Sequence, residues 1–256
     1  MRKLLALLMA SALLMTACLP ALASSSSWGR QSQTIASWDE EADIVIVGFG
    51  LSGAAAAIEA FEIDPETKLA IFEKAPVEGA GGGSIASGQC VLFVDENDLG
   101  TFRTYMRNLN DPQVLPEEWF NWLTHEMATD LPWIQAVLES ANYEVGYSGG
   151  GALRWGSLVI EFEDIEGSNF IGATGHFRSK DLGKAFENGG CWNGFAKAVE
   201  ARGIPVRYET PVVALVQDPL STKVEGVIAK TADGKEIAVK ANKGVVLCCG
   251  GYENNM

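Results

Sequence analysis

The chain has 256 residues, 47% of them hydrophobic and 20% charged, which is enough apolar material for one sizeable core and excludes disorder as the default. Its formal net charge of −14 argues against nucleic acid as a partner, because phosphate backbones reward basic surfaces. Five cysteines and two histidines, with no Cys-x-x-Cys, leave little from which to build a zinc or iron–sulfur site.

Met1 to Ala23 reads as a secretory signal: Arg2 and Lys3, an apolar run from Leu4, then Ala21-Leu22-Ala23 ahead of a serine tract. Pro20 and Ser24 to Ser27 end that run short of the ~20 apolar residues needed to span a bilayer. The expected location is therefore exported and extracytoplasmic, in a periplasm or at a cell surface. Met15-Thr16-Ala17-Cys18 loosely resembles a bacterial lipobox, which makes a lipid anchor on Cys18 the alternative outcome of the same segment. Loss of residues 1–23 removes two basic side chains and no acidic one, so the mature chain is more acidic still. Residues 24–37 are small and polar and suit a tether. Residues 38–256 are expected to form the folded body.

Asp43-Ile44-Val45-Ile46-Val47 is a β-branched apolar run, the pattern of a strand covered on both faces in a parallel sheet. Glycines follow at once, then a helix that is strong from Ala54, then a second strand over Lys68 to Glu73. This is a βαβ unit. From Asp98 to Tyr143 the period is helical: Pro116-Glu117-Glu118 makes a first turn, and Trp119, Trp122, Leu123 and Met127 share a face expected in the core. Asp130 is placed to cap a further helix whose inner side holds Trp133, Ile134, Val137 and Leu138. Residues 146–190 have no sustained period and predict no element. A helix over Trp192 to Arg202 and strands over Pro205 to Tyr208 and Val212 to Val216 come next. Val224 to Thr231 and Glu236 to Lys240 alternate about an Asp233-Gly234 turn, a hairpin signal. Gly244 to Cys249 closes the series as another buried strand, ended by Gly250-Gly251.

The chemistry-bearing constellation is Gly48-Phe49-Gly50-Leu51-Ser52-Gly53, set between a buried strand and a helix. Gly48 makes the tight turn, Gly50 lets backbone approach a pyrophosphate, and Gly53 lets helix and strand pack closely. The phosphate charge then meets a helix N-terminus, where unpaired amides favour an anion. Glu73, 20 residues beyond Gly53 at the end of the second strand, is positioned to accept bonds from ribose hydroxyls and to repel a 2′-phosphate. A simple NAD domain continues with further βα units. Here a helical segment, a hairpin and only then a returning strand follow, which favours FAD, and no tyrosine has the lysine four residues on that a short-chain dehydrogenase needs.

Four segments together resemble the FAD-binding domain of the fumarate reductase and succinate dehydrogenase flavoproteins, especially soluble exported bacterial members. They are Ile44 to Ala56, Phe72-Glu73-Lys74-Ala75-Pro76, Gly81-Gly82-Gly83-Ser84-Ile85-Ala86-Ser87-Gly88, and Val245 to Asn255. The resemblance covers nearly the whole mature chain. It implies an α/β, Rossmann-like FAD-binding domain with a parallel sheet, an antiparallel hairpin or meander and a helical insertion. It also implies cofactor contacts at Gly48, Gly50, Ser52, Gly53, Glu73, Lys74, Gly82, Gly83, Ser84, Ser87, Gly88, Val212 and Gly250. In relatives an asparagine stands at Gly83 and a second glycine at Gln89, so this chain departs from the pattern there.

The resemblance further implies an FAD-dependent oxidoreductase that passes a hydride between the flavin N5 atom and an activated carbon of a small unsaturated acid or an enone such as a 3-oxosteroid, with an electron-donor protein as a possible partner. A non-catalytic FAD-binding module is the alternative. In relatives the substrate clamp and proton donor lie after the Gly250-Gly251 stretch, so no catalytic residue is assigned among residues 1–256, and weak or no turnover is expected of this polypeptide alone. Cys248 and Cys249 are expected to pack in a buried strand, and His176 and Arg178 to be ordinary loop residues.

Overall fold

The computed structural model describes residues 29–87, 90–146, 164–166, 172–181 and 190–251. Its main sheet has seven strands: β1 Gly29–Gln31, β2 Glu40–Val47, β3 Leu69–Phe72, β7 Val206–Arg207, β8 Val212–Gln217, β9 Val224–Lys230 and β10 Glu236–Leu247, in the spatial order β1-β8-β9-β10-β2-β3-β7. Pairing is parallel for β10 with β2, β2 with β3, β3 with β7, and β1 with β8; β9 runs antiparallel to both its neighbours. Side chains of β2 alternate between two cores, as the unbroken apolar run requires. Ile46 packs with Ile71 under helix α1, Leu51–Ile63, and helix α6, Gly190–Ala201. Val45, Val47 and Phe72 face the other way and cluster with Val227, Ala229, Ile237 and Val239 of the hairpin. Each such fully buried aliphatic side chain contributes ~1.5–3 kcal/mol.

The fold begins before Trp38. β1 adds to the sheet edge, and Ile35 and Trp38 pack against Val216, Ile228 and Ala238, so residues 29–37 of the expected tether are structured. Apolar side chains in a polar segment supplied the anchor. The hairpin arm and the returning strand are also continuous: β10 pairs with β9 through Glu236 to Lys240 and with β2 from Val239 to Leu247, with a register shift between Ala241 and Gly244.

The helical insertion comprises α3 Leu99–Asn110, α4 Glu117–Thr129 and α5 Leu131–Ser140. On α4 the buried positions are Phe120 and Thr124, while Trp119 and Trp122 are 44% and 58% exposed, which corrects the expectation that they lie in the core. Arg107 stacks over the Phe120 ring, and the Arg103 Nε donates to Thr124 Oγ1 at 2.8 Å, so the face that packs carries a polar threonine. Asp130 joins α4 to α5 in helical geometry and makes no side-chain cap. Burial, reinforced by Glu126, holds its carboxyl above the usual carboxylate range.

A second sheet was not foreseen. β4 Cys90–Val94, β5 Tyr143–Gly146 and β6 Gly172–Ser179 pair antiparallel in the order β4-β6-β5. Glycine-rich β6 hides the alternation that marks a strand; its Phe177 stacks on Phe195 of α6, with ring centroids 5.7 Å apart. The short helix α2 spans Gly83–Ala86.

Candidate functional site: a glycine-lined cleft at the strand ends

The cleft opens where β2 hands over to α1. Gly48 leaves the strand at φ +99°, and its amide donates to the Phe72 carbonyl at 2.8 Å. A methyl group built there would stand 2.3 Å from the Cys248 carbonyl oxygen, so only glycine fits. Gly50 is the N-cap of α1 and, lacking a side chain, leaves the first turn open to an outside acceptor. The Leu51 amide donates to Ser84 Oγ at 3.0 Å, which ties the helix start to the Gly81–Ser84 turn.

Glu73 emerges from the end of β3 and is 7% exposed. Its two carboxylate oxygens accept from the Phe49 amide at 2.7 Å and the Ala75 amide at 2.8 Å. Its backbone is held as well, through Glu73 N to Arg207 O and Thr210 N to Glu73 O. An ionised carboxylate has about four acceptor sites, so two remain for hydroxyls of a ligand.

These segments enclose a cleft of about 820 Å³, within the usual range for small-molecule sites. Of the residues expected at the cofactor, Gly48, Gly50, Ser52, Glu73, Lys74, Gly82, Gly83, Ser84, Val212 and Gly250 line it. Gly53 does not line it. A methyl there would lie 2.0 Å from the Gly48 carbonyl oxygen, so Gly53 serves helix–strand packing. Ser87 is also outside the lining, exposed, with its hydroxyl donating to Ser84 O at 3.1 Å. Gly88 lies outside the described residues, as do Cys18, the signal segment and residues 252–256.

Lining residues not singled out as cofactor contacts include Phe49, Phe72, Gly81, Pro211, Cys248 and Cys249. β10 ends at Leu247, and the cysteines, expected inside a buried strand, instead form part of the cleft wall: Cys248 is half-buried and Cys249 exposed, both free thiols. Burial pushes the Cys248 thiol up, against a hydrogen bond with Ser52. Phe49 carried a signal in hindsight, since a large aromatic between two turn glycines has to be housed somewhere. Arg178 lies on β6, in a strand rather than a loop, and pairs with Glu144 at 2.7 Å.

The donor set fits FAD. A helix start capped by glycine suits a diphosphate, a buried carboxylate suits a ribose diol, and Val47, Phe72 and Val212 offer apolar wall to a flat ring. A methyl at Gly50 would come within 3.4 Å of Ser84 Oγ and 3.5 Å of Gly81 O, part-filling the cradle, whereas Gly82 and Gly83 look onto open space.

Residues 43–256 match the family model described as FAD binding domain. No curated protein sequence matches the chain. Solved structures do. It is similar to a 3-ketosteroid-Δ4-(5α)-dehydrogenase from Rhodococcus jostii RHA1 in complex with 4-androstene-3,17-dione, at 25% identity over 88% of this chain and 49% of that one, with a TM-score of 0.65. It shares the fold of the 3-ketosteroid Δ1-dehydrogenase from Sterolibacterium denitrificans (15% identity, 84% and 48% covered, TM-score 0.64). The same holds for the open conformation of a flavocytochrome c3 fumarate reductase (20% identity, 85% and 35% covered, TM-score 0.58). The chain spans about half the length of the first two and about a third of the last. By that match and by the cleft it builds, the chain belongs to the FAD binding domain family of the fumarate reductase and succinate dehydrogenase flavoproteins, an FAD-binding oxidoreductase family.

Proposed function

We propose that this chain is the cofactor-holding part of an FAD-dependent oxidoreductase that moves a hydride to or from a carbon next to a carbonyl or carboxylate, with a small unsaturated acid or an enone as substrate. The observation that carries the reading is the convergence of the Gly48–Gly53 turn, the buried Glu73 carboxylate and the Gly81–Ser84 turn on one cleft. FAD, when bound, supplies the two-electron chemistry. The chain's own residues do the holding. Amides at the start of α1 would face the diphosphate, Glu73 would receive the ribose hydroxyls, and Lys74 adds a positive charge at the cleft wall.

Among the described lining residues Lys74 is the one cationic side chain, and no arginine or histidine stands there to clamp an anionic substrate or deliver a proton. Turnover by this polypeptide alone is accordingly expected to be weak. An enone such as a 3-oxosteroid is the favoured substrate class on one observation: the structure similar at 25% identity is a 3-ketosteroid dehydrogenase in complex with 4-androstene-3,17-dione, whereas the likeness to the fumarate reductase, at 20%, carries the fold alone. The reading includes export, on the strength of the signal pattern over Met1 to Ala23.

The test is reconstitution of the purified mature chain with FAD, followed by dye-linked dehydrogenation of a 3-oxosteroid and viologen-linked reduction of fumarate. Flavin absorption bands that survive gel filtration are expected; a chain that takes up no FAD refutes the proposal. Steroid turnover above that of free FAD supports the enone class, and fumarate turnover alone overturns it.

A further inference from the structure

Five chain segments line the cleft, and contacts running through Trp192 join three of them, those of Phe49, Glu73 and Gly81. The Phe49 amide holds Glu73 at 2.7 Å. The Phe49 ring, 2% exposed, meets the Trp192 ring edge-on with centroids 5.6 Å apart and Tyr208 at 6.2 Å. Trp192, on the first turn of α6, in turn underlies the Gly81 turn. A methyl built at Gly81 would sit 2.8 Å from Trp192 Cδ2, and Gly81 is itself at φ +101°. Gly81 O accepts from Ser84 N at 3.0 Å, and Ser84 Oγ accepts from Leu51 N, two residues after Phe49. Trp192 Nε1 is buried with no hydrogen-bond partner, so the contribution of this side chain lies in its ring, and its N–H carries a cost.

We infer that Phe49 and Trp192 are positioning residues for FAD: their edge-to-face contact sets the spacing between the Glu73 carboxylate and the Gly81–Ser84 turn, the two sides of the cleft that must match one ligand. The inference rests on FAD as the occupant. Neither ring has to touch the cofactor for this to hold. Trp192 is outside the cleft lining, and Phe49, which belongs to it, is only 2% exposed.

The experiment is FAD titration of the full chain by flavin fluorescence, with thermal melting alongside, for Phe49→Leu, Trp192→Leu, their double variant and Trp192→Phe. Each leucine variant is expected to weaken FAD binding about tenfold. The double variant should be no weaker than about twentyfold, because both changes cut the same link. Trp192→Phe keeps a ring on the Gly81 turn and discards the unpartnered N–H, so it should bind within about threefold of the parent and melt no lower. Leucine variants that melt lower yet bind FAD like the parent overturn the inference, because the rings then serve stability alone. So does a double variant weakened about a hundredfold, or a Trp192→Phe protein as weak as Trp192→Leu. If Trp192→Leu does not fold, the decision passes to Phe49→Leu with Trp192→Phe, where loss in the first and retention in the second are both required. A parent chain that itself takes up no FAD would instead strike the FAD reading.

Discussion

Gly50 and Gly53 stand three residues apart in one turn, and the structure predicts opposite consequences for adding the same methyl group to each. At Gly50 the backbone is extended, at φ −87° and ψ −168°, which alanine adopts without strain. Loss of chain freedom in the unfolded state favours Gly50→Ala by ~0.4–1 kcal/mol, and alanine is a poorer N-cap than glycine by a comparable amount, so stability should barely move. The new methyl would stand 3.4 Å from Ser84 Oγ and 3.5 Å from Gly81 O, on the cleft side of the helix start, where the proposed diphosphate would sit. Crowding of that kind costs ~1–3 kcal/mol, or about fivefold to a hundred-and-fortyfold in FAD affinity. Gly53→Ala reverses the outcome, because its methyl would lie 2.0 Å from the Gly48 carbonyl oxygen and force α1 away from β2; a loss of ~3 kcal/mol of stability is expected even without cofactor. Melting of the cofactor-free proteins and flavin fluorescence titration of the folded ones separate the two effects. A Gly50→Ala protein that binds FAD within about twofold of its parent, or a Gly53→Ala protein that melts with the parent, would refute the reasoning.

Glu73→Gln keeps one acceptor but turns an NH₂ group toward a backbone donor, so it should lower stability by ~1–3 kcal/mol and weaken FAD about tenfold, read by the same two assays. Cys249, exposed on the cleft wall, should be alkylated by iodoacetamide in the cofactor-free chain and protected by saturating FAD; peptide mass mapping that finds equal labelling would count against FAD in this cleft. Asp130 has a raised carboxyl pKa, so the folded state binds its proton more readily than the unfolded chain. Its ionisation therefore weakens the fold as pH rises from 3.8 through the folded-state value, and the penalty is complete above that. Asp130→Asn should accordingly raise the melting temperature at pH 7 and lose that advantage below the usual carboxylate range; an equal gain at both pH values would exclude this origin.

The βαβ unit was legible because its signals are local. A β-branched run, a glycine turn and an alanine-rich helix leave one arrangement, and Glu73 falls at its strand end by counting alone. The glycine turn and Glu73, which line the cleft, were readable for the same reason. What escaped depends on partners distant in sequence. β1 is a strand only because β8 offers an edge, and β6 has too many glycines to alternate visibly. Trp119 and Trp122 follow a helical period as core residues do, yet α3 meets α4 on the Phe120 and Thr124 face, which no periodicity ranks above its neighbour. The cysteine pair lies just past the strand: an apolar run does not record where the ladder ends, and β10 ends at Leu247 although the Cys248 amide still donates to the Val47 carbonyl at 2.8 Å.

β10 carries two pairing patterns along its length. At one end it is stitched antiparallel to β9 and at the other parallel to β2, and the irregularity between Ala241 and Gly244 is where the two stitch patterns are brought into step. A strand indexed from both sides cannot creep along either neighbour, because a slip of one residue would turn every side chain over. The cleft wall at Cys248 starts from that fixed register, because the Cys248 amide donates to the Val47 carbonyl at 2.8 Å and carries the β2 pairing one residue past the strand.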